Sequence, residues 1–162
     1  VFGRAELIAK EYFRLAGGRV PVNLERLCRR LTFSIVEWDA SPEFTAVLSV
    51  PHRIIVVNRN MHYERRRFSV AHEIGHYALG QAGIQFFGER GRAERAANRF
   101  AAALLMPEHD IERLWRDFGC DIGFPEDALA DALIVSKQAL SNRLKRLRQR
   151  NRKFRYSLIR FV

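Results

Sequence analysis

Along the first third of the chain the apolar positions change period once. In GRAELIAKEYFRLAG, Leu7, Ile8, Phe13 and Leu15 recur near helical spacing and the run stops at Gly17 and Gly18, which predicts a first helix. NLERLCRRL sets Leu24, Leu27 and Leu31 on one stripe behind Asn23, whose side chain can cap, so a second short helix is expected. The period then shortens to two or gives way to continuous apolar runs. FSIVEW, FTAVLSV and RIIVVNRN, rich in β-branched and aromatic residues, predict three strands, and the last two read as a hairpin around Pro51, His52 and Arg53. A sheet of three strands needs a helix packed on it.

Helical spacing returns from Glu64 to Leu79, with Phe68, Ala71, Gly75 and Leu79 in register. Gly80, Gly83, Gly88 and Gly91 then punctuate the chain and predict a reversal, after which RAERAANRFAAALLMP supplies an alanine-rich helix that must end near Pro107. EHDIERLWRDFG, PEDALADALIV and SKQALSNRLKRLRQR predict three more helices, the last capped by Ser136 and striped by Leu140, Leu144 and Leu147. KFRYSLIRFV alternates as a short final strand would. The fold class expected is α+β: a small antiparallel-rich sheet with a helix packed on it, then a mostly helical half. The division falls at residues 1–107 and 108–162.

Composition narrows the class. With 162 residues, 48% of them apolar and 28% charged, the chain suits one well-cored globular domain rather than a disordered segment. No apolar run approaches the length of a membrane span, and VFGRAELIAKEYF lacks the uninterrupted core of a signal peptide, so a cytoplasmic location is expected. The opening Val1 in place of Met is what a piece of a longer protein would show. Cys28 and Cys120, 92 positions apart, suggest two buried thiols and neither a disulfide framework nor a thiolate zinc site.

The net charge of +10 is unevenly spread. Residues 141–162 hold nine basic residues and no acid, whereas the rest carries 19 basic against 18 acidic residues. Polyanion binding is therefore a question about the C-terminal tail.

Two of the five histidines stand in VAHEIGHYALG, four apart, with a glutamate directly after the first. Four helical residues turn about 400° and rise about 6 Å, so His72 and His76 point the same way and can share one metal. Glu73 lies about 60° from His76 around the axis, where a base for a metal-activated water belongs. Zinc suits imidazole and carboxylate donors, and a catalytic site uses three protein ligands, so one is missing. The downstream candidates are Glu89, Glu94, Glu108, His109 and Asp110. Glu94 is favoured because it follows His76 by 18 residues, past the glycine-rich reversal, near the start of a helix that can pack antiparallel to the first. Asn98, one turn further, is then expected to hydrogen-bond the outer nitrogen of a ligand histidine.

RRRFSVAHEIGHYALG followed by ERAANRFAAALLMP closely resembles the ImmA/IrrE family of metallopeptidases, in which HExxH precedes a helix of the form E-x-x-A-N-x-F-A-x-x-L-L-M-P. LADALIVSKQALSNRL resembles the family as well, and the likeness runs over roughly residues 5–147. It implies a zincin-like core followed by a helix-turn-helix-like region. It also implies a zinc cofactor held by His72, His76 and Glu94, and a catalytic role for Glu73. Many members carry a second glutamate directly before the Ala-Asn pair; Ala96 stands there in this chain, leaving Glu94 the one carboxylate of the motif.

On that resemblance the expected function is a zinc endopeptidase whose substrate is a repressor of the XRE type, which links it to transcription and stress responses. An edge strand of the hairpin is expected to align an extended substrate by strand addition. No residue is singled out to stabilise the oxyanion, and no pattern gives the oligomeric state. Other classes of function are a DNA-binding regulator or a zinc-stabilised interaction module on an inactive peptidase scaffold. DALADALIV and SKQALSNRLKRLRQR are spaced like a helix-turn-helix, and eight of residues 141–155 are basic. Against specific readout stands a packing role for Leu133, Val135, Leu140 and Leu144, which the resemblance favours; weak, non-specific nucleic-acid contact by the tail is then expected.

Overall fold

The computed structural model describes residues 3–81, 90–118 and 125–150. Helices α1 (Arg4–Leu15) and α2 (Leu24–Arg30) lead into strands β1 (Ser34–Trp38), β2 (Ala46–Ser49) and β3 (Ile54–Asn58). Five helices follow: α3 (Tyr63–Ala78), α4 (Arg90–Leu105), α5 (Glu108–Phe118), α6 (Pro125–Leu133) and α7 (Lys137–Arg150). The fold is mixed α+β. Two caps form where the sequence places them: Asn23 Oδ1 accepts from the Arg26 N–H at 2.7 Å, and Ser136 Oγ from the Ala139 N–H at 3.1 Å.

The sheet departs from the antiparallel-rich expectation. β2 and β3 form the antiparallel hairpin, with Ala46 opposite Val57 and Ser49 opposite Ile54. β1 lies on the other side of β3 and runs parallel to it, from Ser34 opposite Ile54 to Trp38 opposite Asn58. The reason lies in β3, whose sequence IIVVN is apolar enough to take the centre, so residues 39–45 carry the chain across its end. Buried Asn58 secures that crossing. Its Nδ2 donates to the carbonyls of Ala40, Ser41 and Phe44 at 3.2, 2.9 and 3.0 Å, and its Oδ1 accepts from the Asn60 N–H at 3.0 Å.

Ile55 and Val57 are buried in the core beneath α3, which packs on β2 and β3 and lies antiparallel to α4. Gly75 sets the closeness of that helix pair. A methyl group in its place would stand 3.0 Å from Phe100 Cδ1 and 3.1 Å from the Ala97 carbonyl oxygen, so no larger residue fits without moving α4.

The buried face of α1 is not the one its leucines mark: Ala5, Glu6 and Ala9 are buried, whereas Leu7 and Leu15 are 50% and 39% exposed. The small residues let α1 lie close on α4, where the Tyr12 ring meets Phe100 edge-on at 5.3 Å. Glu6 is drawn inward by a cation. Arg143 of α7 pairs with Glu6 Oε1 at 2.8 Å and donates through Nε to the Met106 carbonyl at 3.2 Å, and Arg150 pairs with both Glu6 and Glu108.

Leu133, Val135, Leu140, Leu144 and Leu147 are buried, so α6 and α7 pack onto the rest of the molecule. Cys28 is buried among apolar side chains, which pushes its thiol up to about 12 and keeps it protonated. Cys120, Gly83, Gly88 and the segment KFRYSLIRFV lie outside the described residues. Among the described residues no helix is long and apolar enough to cross a membrane.

Candidate metal centre

Three donors from two helices converge. His72 Nε2 and His76 Nε2 on α3 stand 3.0 Å apart, and the Glu94 carboxylate on α4 lies 3.2 Å from the first and 3.6 Å from the second. Donors bound to one tetrahedral zinc at about 2.1 Å would stand about 3.4 Å apart, so the separations suit a shared ion. Among the described residues this is a group of His and carboxylate side chains close enough to hold one metal.

The far sides of the rings say which nitrogens are free. His72 Nδ1 lies 3.0 Å from Asn98 Oδ1, and His76 Nδ1 lies 3.2 Å from Gln81 Oε1. An amide oxygen only accepts, so each ring carries its proton on Nδ1 and presents an Nε2 lone pair to the centre. Two such lone pairs and a carboxylate repel one another unless a cation lies among them, which is the strongest argument that the residues fit a metal. Burial and the neighbouring His76 lower the pKa of His72 against the opposing pull of Glu94 and Asn98, favouring the neutral ring that a metal needs.

Local sequence explains the placement. Tyr63–Ala78 is one continuous helix, so the i, i+4 spacing brings both rings to one face. Its end is a Schellman turn: Gly80 takes φ +70°, its N–H bonds to the Tyr77 carbonyl at 3.1 Å, and the Gln81 N–H bonds to the His76 carbonyl at 2.8 Å. That turn folds Gln81 back over His76. Sequence reasoning missed Gln81; the signal was the glycine stop four residues after His76.

Glu73 is positioned from the sheet. Its Oε2 accepts the Leu48 N–H at 3.1 Å. Burial raises its pKa above the usual carboxylate range, while His76 and the Leu48 N–H pull it down and Glu94 pushes it up. A carboxylate held between those influences is suited to taking and returning a proton.

The other ligand candidates are elsewhere. Glu108 is paired with Arg150, Asp110 with Arg113 at 3.2 Å, and His109 lines a cavity with α1; Glu89 lies outside the described residues.

Residues 28–145 match the model of a peptidase family described as the IrrE N-terminal-like domain. The chain is 39% identical over 77 residues to the radiation response metalloprotease IrrE of Deinococcus radiodurans, a stretch covering 42% of this chain and 24% of that protein. The match thus takes in about a quarter of that relative's length. A solved Mycobacterium tuberculosis transcriptional regulator has the same fold over 88% of this chain and 47% of its own, with a TM-score of 0.67 at 22% identity. With the family model spanning most of its length, the chain belongs to the ImmA/IrrE family of metallopeptidases.

Proposed function

We propose that the protein is a zinc-dependent endopeptidase that cuts a protein partner, with His72, His76 and Glu94 as the metal ligands and Glu73 as the catalytic residue. The observation that carries this reading is the convergence of two imidazole nitrogens and one carboxylate within 4.8 Å of one another, beside a glutamate anchored from the sheet. Zinc, when bound there, supplies a Lewis acid that polarises the scissile carbonyl and acidifies water. Glu73 takes the proton of the attacking water and returns it to the leaving amine. Asn98 and Gln81 hold the two rings in the orientation and tautomer that keep Nε2 free.

The outer edge of β2 aligns the substrate. Thr45 turns its carbonyl toward β3, accepting from the Asn58 N–H at 2.9 Å, so Ala46 and Leu48 turn their backbone groups outward. The Leu48 N–H is taken by Glu73, which leaves Ala46 to pair with an extended chain next to the base.

Residues 1–107 form the zincin-like catalytic part in this reading, and α5, α6 and α7 of the stretch 108–162 buttress it. The helix-turn-helix-like spacing of α6 and α7 serves packing: Arg143 and Arg150 turn into the molecule toward Glu6. The substrate we assign is an XRE-type repressor, with the protein acting in the cytoplasm as a switch on transcription.

The test is to incubate the zinc-loaded chain with a purified XRE-type repressor. One discrete cut is expected, absent after chelation and absent with Glu73→Gln. Equal cutting by Glu73→Gln, or by the chelated chain, would reject the mechanism.

A further inference from the structure

A groove of about 1060 Å³ opens beside the candidate metal centre, between α3, α4 and α7. Two helix stripes lead into it. On α3 the stripe runs from His72 back through Phe68 to Glu64, and on α4 it runs from Glu94 through Asn98 to Ala102. Asn98 belongs to both places, since it touches His72 and lines the groove. A polypeptide with its scissile bond at the metal would pass one flank along this path, and the volume has room for several residues.

The walls are basic in a specific way. Arg143 is neutralised by Glu6, and Lys137 by Asp127 at 2.8 Å. Exposed Arg65 from α3 and half-buried Arg146 from α7 have no hydrogen-bond or ion-pair partner among the described residues, and Glu64 is the one carboxylate on the lining. Residues 1–140 are close to neutral, so the groove lies where α7 brings part of the basic stretch 141–162 against Arg65 of α3. Both guanidiniums can grip a carboxylate with two N–H groups, and the half-buried one of Arg146 has the more to gain from it.

We propose that this groove is a subsite for an acidic segment of the protein substrate, flanking the scissile bond, with Arg65 and Arg146 as its specificity determinants. The proposal rests on the peptidase reading of the adjoining centre. The two stand or fall on different measurements.

The experiment uses the full zinc-loaded chain carrying Glu73→Gln and two fluorescein-labelled peptides, one alternating Glu with Ala and one alternating Lys with Ala, read by fluorescence anisotropy. The acidic peptide is expected to bind at least about tenfold more tightly, and Arg65→Glu and Arg146→Glu are each expected to weaken it by about threefold to tenfold. Arg146→Gln, with a melting curve for each variant, covers the case in which Arg146→Glu fails to fold. Arg152→Gln controls for the basic tail. Equal binding of the two peptides would overturn the proposal, as would a loss that follows Arg152→Gln and not the groove variants. So would a duplex oligonucleotide that occupies the groove in preference to the acidic peptide. Turnover separates the two readings: cleavage of fluorogenic peptides with no preference for an acidic flank removes the groove alone, whereas selective binding with no cleavage removes the peptidase reading alone.

Discussion

The backbone N–H of Leu48 donates to Oε2 of Glu73 at 3.1 Å, so the outermost strand of the sheet holds the carboxylate of the HExxH helix. The contact joins residues 25 positions apart and, on the proposed function, makes the hairpin part of the apparatus that handles the proton. Leu48→Pro removes this donor while sparing the ladder, because the N–H faces away from β3. Turnover is expected to fall about tenfold or more with zinc content unchanged, since a hydrogen bond to a charged group is worth about 1.5–3 kcal/mol. Unaltered kcat in a folded, zinc-replete variant would count against the role of the strand.

Asn98 and Gln81 hold the rings of His72 and His76 by their Nδ1 atoms. Asn98→Ala and Gln81→Ala are expected to weaken zinc affinity by about 10–100-fold each, with little loss of thermal stability in the metal-free chain. Competition with a chromogenic chelator measures this. Affinities equal to that of the unmodified chain would mean that the amides merely fill space.

Gly75 lies between His72 and His76, and its missing side chain lets α4 approach closely enough to bring Glu94 beside them. Gly75→Ala is expected to cost about 1–3 kcal/mol of stability, measured by urea unfolding, and to lower zinc affinity as well. A methyl group added to a well-packed helix face elsewhere would affect the first quantity and not the second.

The buried pair of Glu6 and Arg143 ties α7 to α1. Glu6→Ala leaves a buried guanidinium without its partner and is expected to destabilise by about 3–5 kcal/mol, whereas Glu6→Leu combined with Arg143→Met should recover most of the loss. Denaturant titrations of the single and double variants decide this. A negligible effect of Glu6→Ala would return α7 to consideration as a helix free to meet DNA.

The convergence of His72, His76 and Glu94 was legible in the sequence because its geometry is local. His72 and His76 need only one unbroken helix, and Glu94 with Asn98 needs only a second helix returning alongside the first. What escaped notice depends on contacts distant in sequence or on backbone atoms. No pattern marks the Leu48 N–H as the partner of Glu73, and the parallel placement of β1 depends on Asn58 fastening residues 40–44. The burial of Glu6 has no mark in the sequence for a similar reason, since it is decided 137 residues away by Arg143.

The most direct measurement is the zinc X-ray absorption spectrum of the purified chain, taken with its metal stoichiometry and repeated on Glu94→Ala. The expected result is one zinc per chain with nitrogen and oxygen donors at about 2.0–2.1 Å, the signature of two imidazoles, no sulfur at about 2.3 Å, and a changed spectrum or lost metal in the variant. A chain that retains no zinc, or a spectrum that Glu94→Ala leaves untouched, would contradict a shared ion held by His72, His76 and Glu94.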